Sequence, residues 1–463
     1  LDDTLRGDLA GLRATLIGLG RRTHVALARY LVHRGAIVRI SELRPFSELA
    51  DELALIAGLP VDVRAGGHAN EHVDDADVVF VTPGAPRELP ILEYARRRDV
   101  PIASEIELVF ARCHAPIIGI TGSAGKTTTT SLVGEMLRRG GFETLVGGNI
   151  GVPLVERIDD VSATARVVLE LSSFQLEGLR RGAAIGAILN VTPNHTDRHP
   201  TFDHYRESKF NLLRYQTADD IAVLGYDDPV ARSLESRCPG QVRWFSAKSV
   251  VAHGTFRRDD ILIAAESGDQ SVIIRAGEIL LPGEHNVLNA LAASAVARSA
   301  GVSLPAIADT LRTFRGVEHR IELTRTLGGV RYFNDSIATS PERTVAALRT
   351  FSDPIVLIAG GRSKHLPLDE LAALASEKCR AVVAFGEMAD EIVDALHRLG
   401  SGDRALVVKT TGLADAVGLA RNASRPGDVV LMSPAGTSFD QFRDFEERGR
   451  VFKAIVAALT DGV

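Results

Sequence analysis

The sequence predicts an α/β protein of three domains: a Rossmann-like N-terminal domain, a central P-loop ATPase-type domain with a parallel sheet, and a Rossmann-like C-terminal domain. Three observations predict it. Short apolar runs alternate with amphipathic stretches over almost the whole chain, the rhythm of β-α units whose strands are covered on both faces. A glycine loop separates an apolar run from a helix-like stretch at 122–128. The rhythm then restarts in the last third, after the hairpin-like segment RIELTRTLGGVRYFNDS.

In chain order, ATLIGLG (14–20) reads as a strand, HVALARYLVHRG (24–35) as a helix and AIVRISE (36–42) as a strand. A helix over FSELADELALIAG, a strand over ADVVFVTPG (76–84) and a helix over LPILEYARRRD follow. PIIGITG (116–122) is a strand that runs into the glycine loop, and KTTTTSLVGEMLRRGG is the helix behind it. RVVLEL (166–171), AAIGAILNV (183–191) and DIAVLGY (220–226) are further strands, and NVLNALAASAVARSAG (286–301) is a buried Ala-rich helix. The last third supplies PIVLIAGG, RAVVAFGE, RALVVKT and DVVLMSPAG, each followed by a helix-like segment. Domain limits are expected at 1–105, 106–316 and 317–463, with short hinges because neither junction carries a Pro/Ser linker.

At 463 residues, 45% hydrophobic and 24% charged, the chain is long enough to bury several cores. A net charge of −6 argues against a protein that grips nucleic acid by charge, and Arg96–Arg98 and Arg257–Arg258 read as solvated faces. No apolar run approaches the ~18–20 residues of a membrane-spanning helix. The chain opens on Leu1 in an acidic stretch without the basic and apolar parts of a secretion signal, and its cysteines (Cys113, Cys238 and Cys379) are few and far apart. A cytoplasmic monomer is expected, with neither nucleic acid nor membrane as partner.

Chemistry enters at Gly122-Ser123-Ala124-Gly125-Lys126-Thr127-Thr128. Glycines let backbone N–H groups turn toward phosphate oxygens, and a helix N-terminus adds partial positive charge. Lys126 suits the β- and γ-phosphates, and the Thr127 hydroxyl suits Mg²⁺. The full eight-residue pattern would place Gly at 120, where Ile120 stands. The strand before and the helix after nevertheless indicate a nucleoside triphosphate with Mg²⁺.

Glu170 ends a buried strand, the edge at which open α/β sheets bind ligands, and Mg²⁺ beside phosphates needs carboxylate oxygen. His195, in NVTPNHTDRH, leaves another strand end. Its imidazole is open to three readings: a surface histidine, a zinc cluster with His199 and His204, or a group at the metal or phosphate site. Lys209, in HYRESKFNLL, reads from composition and spacing as a solvated helix lysine.

Taken together, ITGSAGKTTTT (120–130), GGNIG (147–151), LELSSFQLE (169–177), NVTPNHTDRH (190–199), GEHNVLNALAA (283–293), HRIE (319–322), NDSIATSP (334–341) and SPAGTSFDQFRDFEERG (433–449) resemble the muramyl ligase family of peptidoglycan synthesis. LELSSFQLE and FRDFEERG are similar to its glutamate-adding branch. The resemblance implies an ATP-dependent acid–amino-acid ligase that joins glutamate, D-glutamate favoured, to UDP-N-acetylmuramoyl-L-alanine through an acyl phosphate. ATP and two Mg²⁺ ions are the implied cofactors.

Residue by residue, the resemblance places the nucleotide at Gly122, Ser123, Ala124, Gly125, Lys126, Thr127, Thr128 and Thr129, with Asn286 and Asn289 at i and i+3 on one helix face. It implies that Thr127, Glu170, His195 and a carbamylated Lys209 hold the metals. Arg320 and Asp335 are the C-terminal domain's contribution to ATP, which implies closure about a hinge near 317. The uridine substrate falls to Gly20, Arg21, Arg22, Thr23, Arg44, Pro83, Gly84, Asn149 and His195. Thr23 stands where a dinucleotide fingerprint needs Gly, which argues against hydride transfer. Glutamate falls to Thr339, Lys364, Ser438 and Phe445, with Lys364 as the cation. The branch commonly carries Lys after N-D-S, and here Ile337 stands there. The rival readings are a variant adding L-glutamate, a folylpolyglutamate-type ligase and a P-loop regulator without chemistry.

Overall fold

A computed structural model describes all residues except 21–22, 84, 87, 150–152, 194–198, 282, 399–405 and 461–463. The chain divides into two compact units, Leu1–Phe314 and Arg315–Val463. Among the described residues the strands form three sheets, of five and nine strands in the first unit and six in the second.

The first sheet holds β1 (Arg13–Ile17), β2 (Ile37–Glu42), β3 (Val61–Ala65), β4 (Val78–Val81) and β5 (Ile102–Ala103), all parallel, in the order β3-β2-β1-β4-β5. The order reverses at β1, the switch point at which doubly wound sheets open a crevice. β3 was not expected from the sequence: VDVRA has no apolar run, because an edge strand buries little. The expected helix over 46–58 is instead a 3₁₀ turn, Phe46–Glu48, and a short helix, Ala50–Leu55.

The second sheet contains β6 (Ile117–Thr121), β7 (Thr144–Gly148), β8 (Arg166–Glu170), β9 (Ile185–Ile188), β10 (Ile221–Gly225), β11 (Gln241–Ser246), β12 (Gly254–Arg258), β13 (Ile261–Glu266) and β14 (Asp269–Arg275). Its order is β14-β13-β12-β11-β10-β9-β6-β8-β7, so the strand leading into the glycine loop lies between β9 and β8. The sheet is not parallel throughout, as the sequence had suggested: β12, β13 and β14 pair antiparallel. Two-residue links, with Asp259 at φ 53° and Ser267 and Gly268 at φ 51° and 95°, are too short for a crossover and permit only hairpins.

The first two sheets share one apolar core running from Leu16 and Phe80 to Leu169 and Leu212. At its rim Asp159 accepts a hydrogen bond from Tyr30 Oη at 2.6 Å and pairs with Arg112 at 2.8 Å and Arg34 at 2.7 Å. The helix Thr23–His33 is thereby tied to the central sheet's periphery.

The second unit's sheet holds β15 (Glu322–Leu327), β16 (Val330–Asn334), β17 (Ile355–Gly360), β18 (Cys379–Phe385), β19 (Leu406–Thr410) and β20 (Val429–Ala435), in the order β15-β16-β20-β17-β18-β19. β15 and β16 form the expected antiparallel hairpin, and the other pairings are parallel.

Candidate active site

Parallel strands bring their C-terminal ends to one edge, so the loops after β6, β8 and β9 meet. After β6, Gly125 takes φ 81° and caps the helix Lys126–Arg139. A Cβ there would lie 2.4 Å from Asn289 Oδ1, so glycine lets the asparagine close on the loop. Asn289 in turn donates to Asn286 Oδ1 at 3.1 Å. The loop is held from β9 by Asn190, whose carbonyl accepts from Ser123 N at 2.9 Å and whose amide exchanges hydrogen bonds with both backbone groups of Ala124. Lys126 Nζ donates to the carbonyls of Gly122 and Ser123, at 2.9 and 3.3 Å. Thr127 and Thr129 are buried in the first turn behind it, with Thr128 between them.

Glu170 ends β8 in register with Ile120 of β6. It is 2% exposed, and Oε1 accepts from Asn149 Nδ2 at 3.0 Å, while Oε2 has no hydrogen-bond partner. An unpartnered buried carboxylate oxygen is costly unless a cation or donor completes it. This oxygen donor set suits a hard cation. Among the described residues no three His, Cys, Asp or Glu side chains converge for a metal.

Lys209 lies on the helix Phe202–Arg214, which approaches the sheet closely because β6 and β9 carry glycines there. A Cβ at Gly119 would lie 2.5 Å from Leu212 Cδ1, and one at Gly186 2.4 Å from Leu213 Cδ2. The lysine is 1% exposed, not solvated as composition suggested. Its Nζ donates to Gly122 O at 3.0 Å and Thr121 Oγ1 at 3.3 Å and sits 4.6 Å from the centre of the Tyr205 ring. Burial, and then the charge of Lys126, push it well below the ordinary lysine range. The surroundings therefore disfavour the ammonium form, and the unprotonated amine is the form that adds CO₂.

In the N-terminal sheet, Gly18 follows β1 at φ 86°, Gly20 lies in the same loop, and Thr23 opens the next helix. Glu42, at the end of β2, accepts from Leu19 N at 2.7 Å and Arg44 N at 3.0 Å. Arg44 reaches Leu19 O at 3.0 Å and Glu52 at 3.3 Å. Burial raises the Glu42 carboxyl, but Arg44 and the two amides outweigh that and hold it below its usual range. Pro83 follows Thr82, whose methyl would lie 3.3 Å from a Cβ on Gly18. Arg21, Arg22, Gly84 and His195 lie outside the described residues.

In the second unit, Asp335 leaves β16 at 4% exposure and accepts from Ser433 Oγ at 2.7 Å and Ile321 N at 3.2 Å. Burial raises its carboxyl to about 7, against the pull of Ser433, Ile321 and Arg320. Arg320 lies between His319 and Ile321, both at positive φ. Thr339 Oγ1 accepts from Lys364 Nζ at 3.5 Å. Ser438 is buried, and Phe445 begins the helix Phe445–Ala458 with its carbonyl accepting from Ser336 Oγ at 2.7 Å. The buried Arg448 joins these loops by donating to Ser336 O at 2.9 Å and Gly436 O at 3.2 Å.

Sequence reasoning did not single out Glu42, Asn190, Tyr205 or Arg448. Tyr205 had a signal, lying four residues before Lys209 and so on the same helix face. Glu42 at Leu19 N and Arg448 at Ser336 O act on backbone groups distant in sequence, which no local pattern shows.

A P-loop with a buried carboxylate and a buried lysine in one α/β unit, followed by a second α/β unit, is the architecture of an ATP-dependent ligase. Residues 13–104 match the Mur ligase MurD-like N-terminal domain, 120–297 the Mur ligase middle domain and 319–436 the Mur ligase glutamate ligase domain. The chain belongs to the Mur ligase family. The UDP-N-acetylmuramoylalanine–D-glutamate ligase of Symbiobacterium thermophilum is 46% identical over 97% of this chain and 98% of its own length. The enzyme of the same name from Acidobacterium capsulatum is 40% identical over 97% of both. The crystal structure of the UDP-N-acetylmuramate-alanine ligase MurC from Thermotoga maritima shares the fold, with a TM-score of 0.56 at 20% identity over 96% of this chain and 99% of that one.

Proposed function

We propose that this chain joins D-glutamate to UDP-N-acetylmuramoyl-L-alanine with the hydrolysis of ATP to ADP and phosphate. The observation that carries the reading is Lys209, a buried amine held against the phosphate loop with Glu170's unpartnered oxygen at the same sheet edge. The full-length likeness to D-glutamate ligases supports the choice of amino acid over the L-glutamate and folate alternatives.

A carboxylate is a poor electrophile because oxide is a poor leaving group. Transfer of the γ-phosphoryl group to the alanyl carboxylate oxygen releases ADP and gives an acyl phosphate. The glutamate amine, after losing a proton, adds to its carbonyl carbon. The tetrahedral adduct expels phosphate and leaves the amide. Lys126 and the loop amides from Ser123 to Thr128 would hold the nucleotide's phosphates, with Asn286 and Asn289 on the nucleotide. Arg320 and Asp335 would complete its binding. Thr127, Glu170, His195 and Lys209, the last carrying a carbamate, would hold two Mg²⁺ ions. Magnesium, when bound, offsets the charge of two approaching anions. Asn149 would contact the alanyl end of the substrate, and Gly20–Thr23, Arg44 and the Pro83-Gly84 turn its uridine diphosphate. Thr339, Lys364, Ser438 and Phe445 would receive glutamate.

The test is phosphate release in the presence of ATP, Mg²⁺ and the uridine substrate, with D-glutamate, L-glutamate or no amino acid. Release with D-glutamate alone is expected. Release with L-glutamate in its place overturns the stereochemical assignment, and release independent of the uridine substrate overturns the proposed reaction.

A further inference from the structure

The second unit holds a pair of cations that the reading above uses only in part. Lys364 and Arg343 are both exposed, and among the described residues neither forms an ion pair. The carboxylates nearest to Lys364 in sequence are engaged elsewhere: Asp369 pairs with Arg398 at 4.0 Å and Glu370 with Arg349 at 2.8 Å. Further on, Glu387 pairs with Arg362 at 2.9 Å while Glu391 accepts from Ser363 Oγ at 2.6 Å. Arg343, in the first turn of the helix Pro341–Thr350, donates to the carbonyl of Ile337 at 3.1 Å. Lys364 reaches Thr339, two residues further along that loop. One short segment, Ile337–Thr339, therefore carries a guanidinium on one residue and an ammonium on the next but one. Their proximity also shows electrostatically: desolvation first, and the Arg343 charge second, lower Lys364 from the ordinary lysine range.

Two like charges held together without a counter-ion repel each other, and a ligand with two carboxylates relieves that repulsion. We infer that Arg343 is a second cation for the incoming amino acid, pairing with one glutamate carboxylate while Lys364 takes the other. Arg343 thus sets the preference for a dicarboxylic acceptor over a neutral amino acid of the same length. A guanidinium suits this role because its planar fork presents two N–H donors to a carboxylate while another N–H stays on the Ile337 carbonyl.

The inference rests on the proposed glutamate ligation, and the experiment keeps the two apart. Initial rates are measured for the unaltered chain, Arg343→Gln and Arg343→Lys, with D-glutamate or D-glutamine as acceptor. In Arg343→Gln the KM for D-glutamate is expected to rise about tenfold or more, with the KM values for ATP and the uridine substrate held within about twofold. The preference for D-glutamate over D-glutamine is expected to fall by a similar factor, and Arg343→Lys is expected to retain most of it. An unchanged KM for D-glutamate, or a parallel rise in all three KM values, overturns the role of Arg343 and leaves the ligase reading standing. Absence of turnover with D-glutamate in the unaltered chain overturns the D-glutamate ligation on which the inference rests.

Discussion

Lys209 shows how much chemistry a single burial can dictate. An ammonium group with no carboxylate in ion-pair range among the described residues, 4.6 Å from an aromatic ring centre and beside a second lysine, is disfavoured in its charged form. The proposed carbamate would put a negative charge beside Lys126 where an ammonium is disfavoured. With ¹³C-bicarbonate, a carbamate resonance is expected in the unaltered chain and none in Lys209→Ala. Activity in that variant is expected to fall by two orders of magnitude or more (about 3 kcal/mol). Nothing in the local sequence marks this residue, since HYRESKFNLL is an ordinary amphipathic helix. Its burial depends on Gly119 and Gly186, which lie on strands far away in sequence and let the helix settle onto the sheet.

Asp335 yields a second test at the same scale. Its folded-state value of about 7 lies above the ordinary 3.8, so the folded chain holds this proton more tightly than the unfolded chain. The resulting stabilisation is complete below about pH 4 and is lost as pH rises toward 7. Thermal unfolding of Asp335→Asn is therefore expected to show a shallower loss of stability between pH 5 and 8 than the unaltered chain. An identical slope would exclude this carboxyl as its source.

Among the elements, the strand–loop–helix unit at 117–139 was the most legible, because its glycines, lysine and threonines are consecutive and its flanks have unambiguous periods. The end of β8 was legible as a strand end, whereas Glu170 alone reads as a cap of the next helix and only the phosphate loop on a neighbouring strand points it toward a metal. The antiparallel wing β12–β14 was not, since GTFRR and DQSVIIR contain more polar than apolar residues and their turns lack the expected Asn-Gly signature. The loop supplies the prediction at this scale. Gly125→Ala forces a left-handed φ of 81° on alanine and drives a methyl toward Asn289, costing roughly 1–2 kcal/mol of backbone strain alone. A rise of at least about tenfold in the KM for ATP is expected, with a melting temperature lowered by only a few degrees. Unaltered ATP kinetics would show that the loop does not cradle the nucleotide.

At the scale of the whole molecule, the rhythm of apolar runs was enough to identify three α/β sheets, because each parallel strand must be covered on both faces. What it could not reveal is that the first two sheets share a core, since that union depends on side chains such as Tyr30, Arg112 and Asp159 that are distant in sequence. Asp159 serves three partners at once. Replacing it with Ala strands the Tyr30 hydroxyl and leaves the Arg112 guanidinium only its bonds to the Leu5 and Gly7 carbonyls, and is expected to lower unfolding stability by about 1–3 kcal/mol in denaturant titration.

The reaction assigned to the molecule makes one atom traceable. If the alanyl carboxylate of the uridine substrate is labelled with ¹⁸O and turnover proceeds through an acyl phosphate, one labelled oxygen leaves with each orthophosphate, and mass spectrometry of the released phosphate detects it. Label in the phosphate, in amounts equal to the amide formed, is the predicted result. Unlabelled phosphate accompanying amide formation would contradict the account.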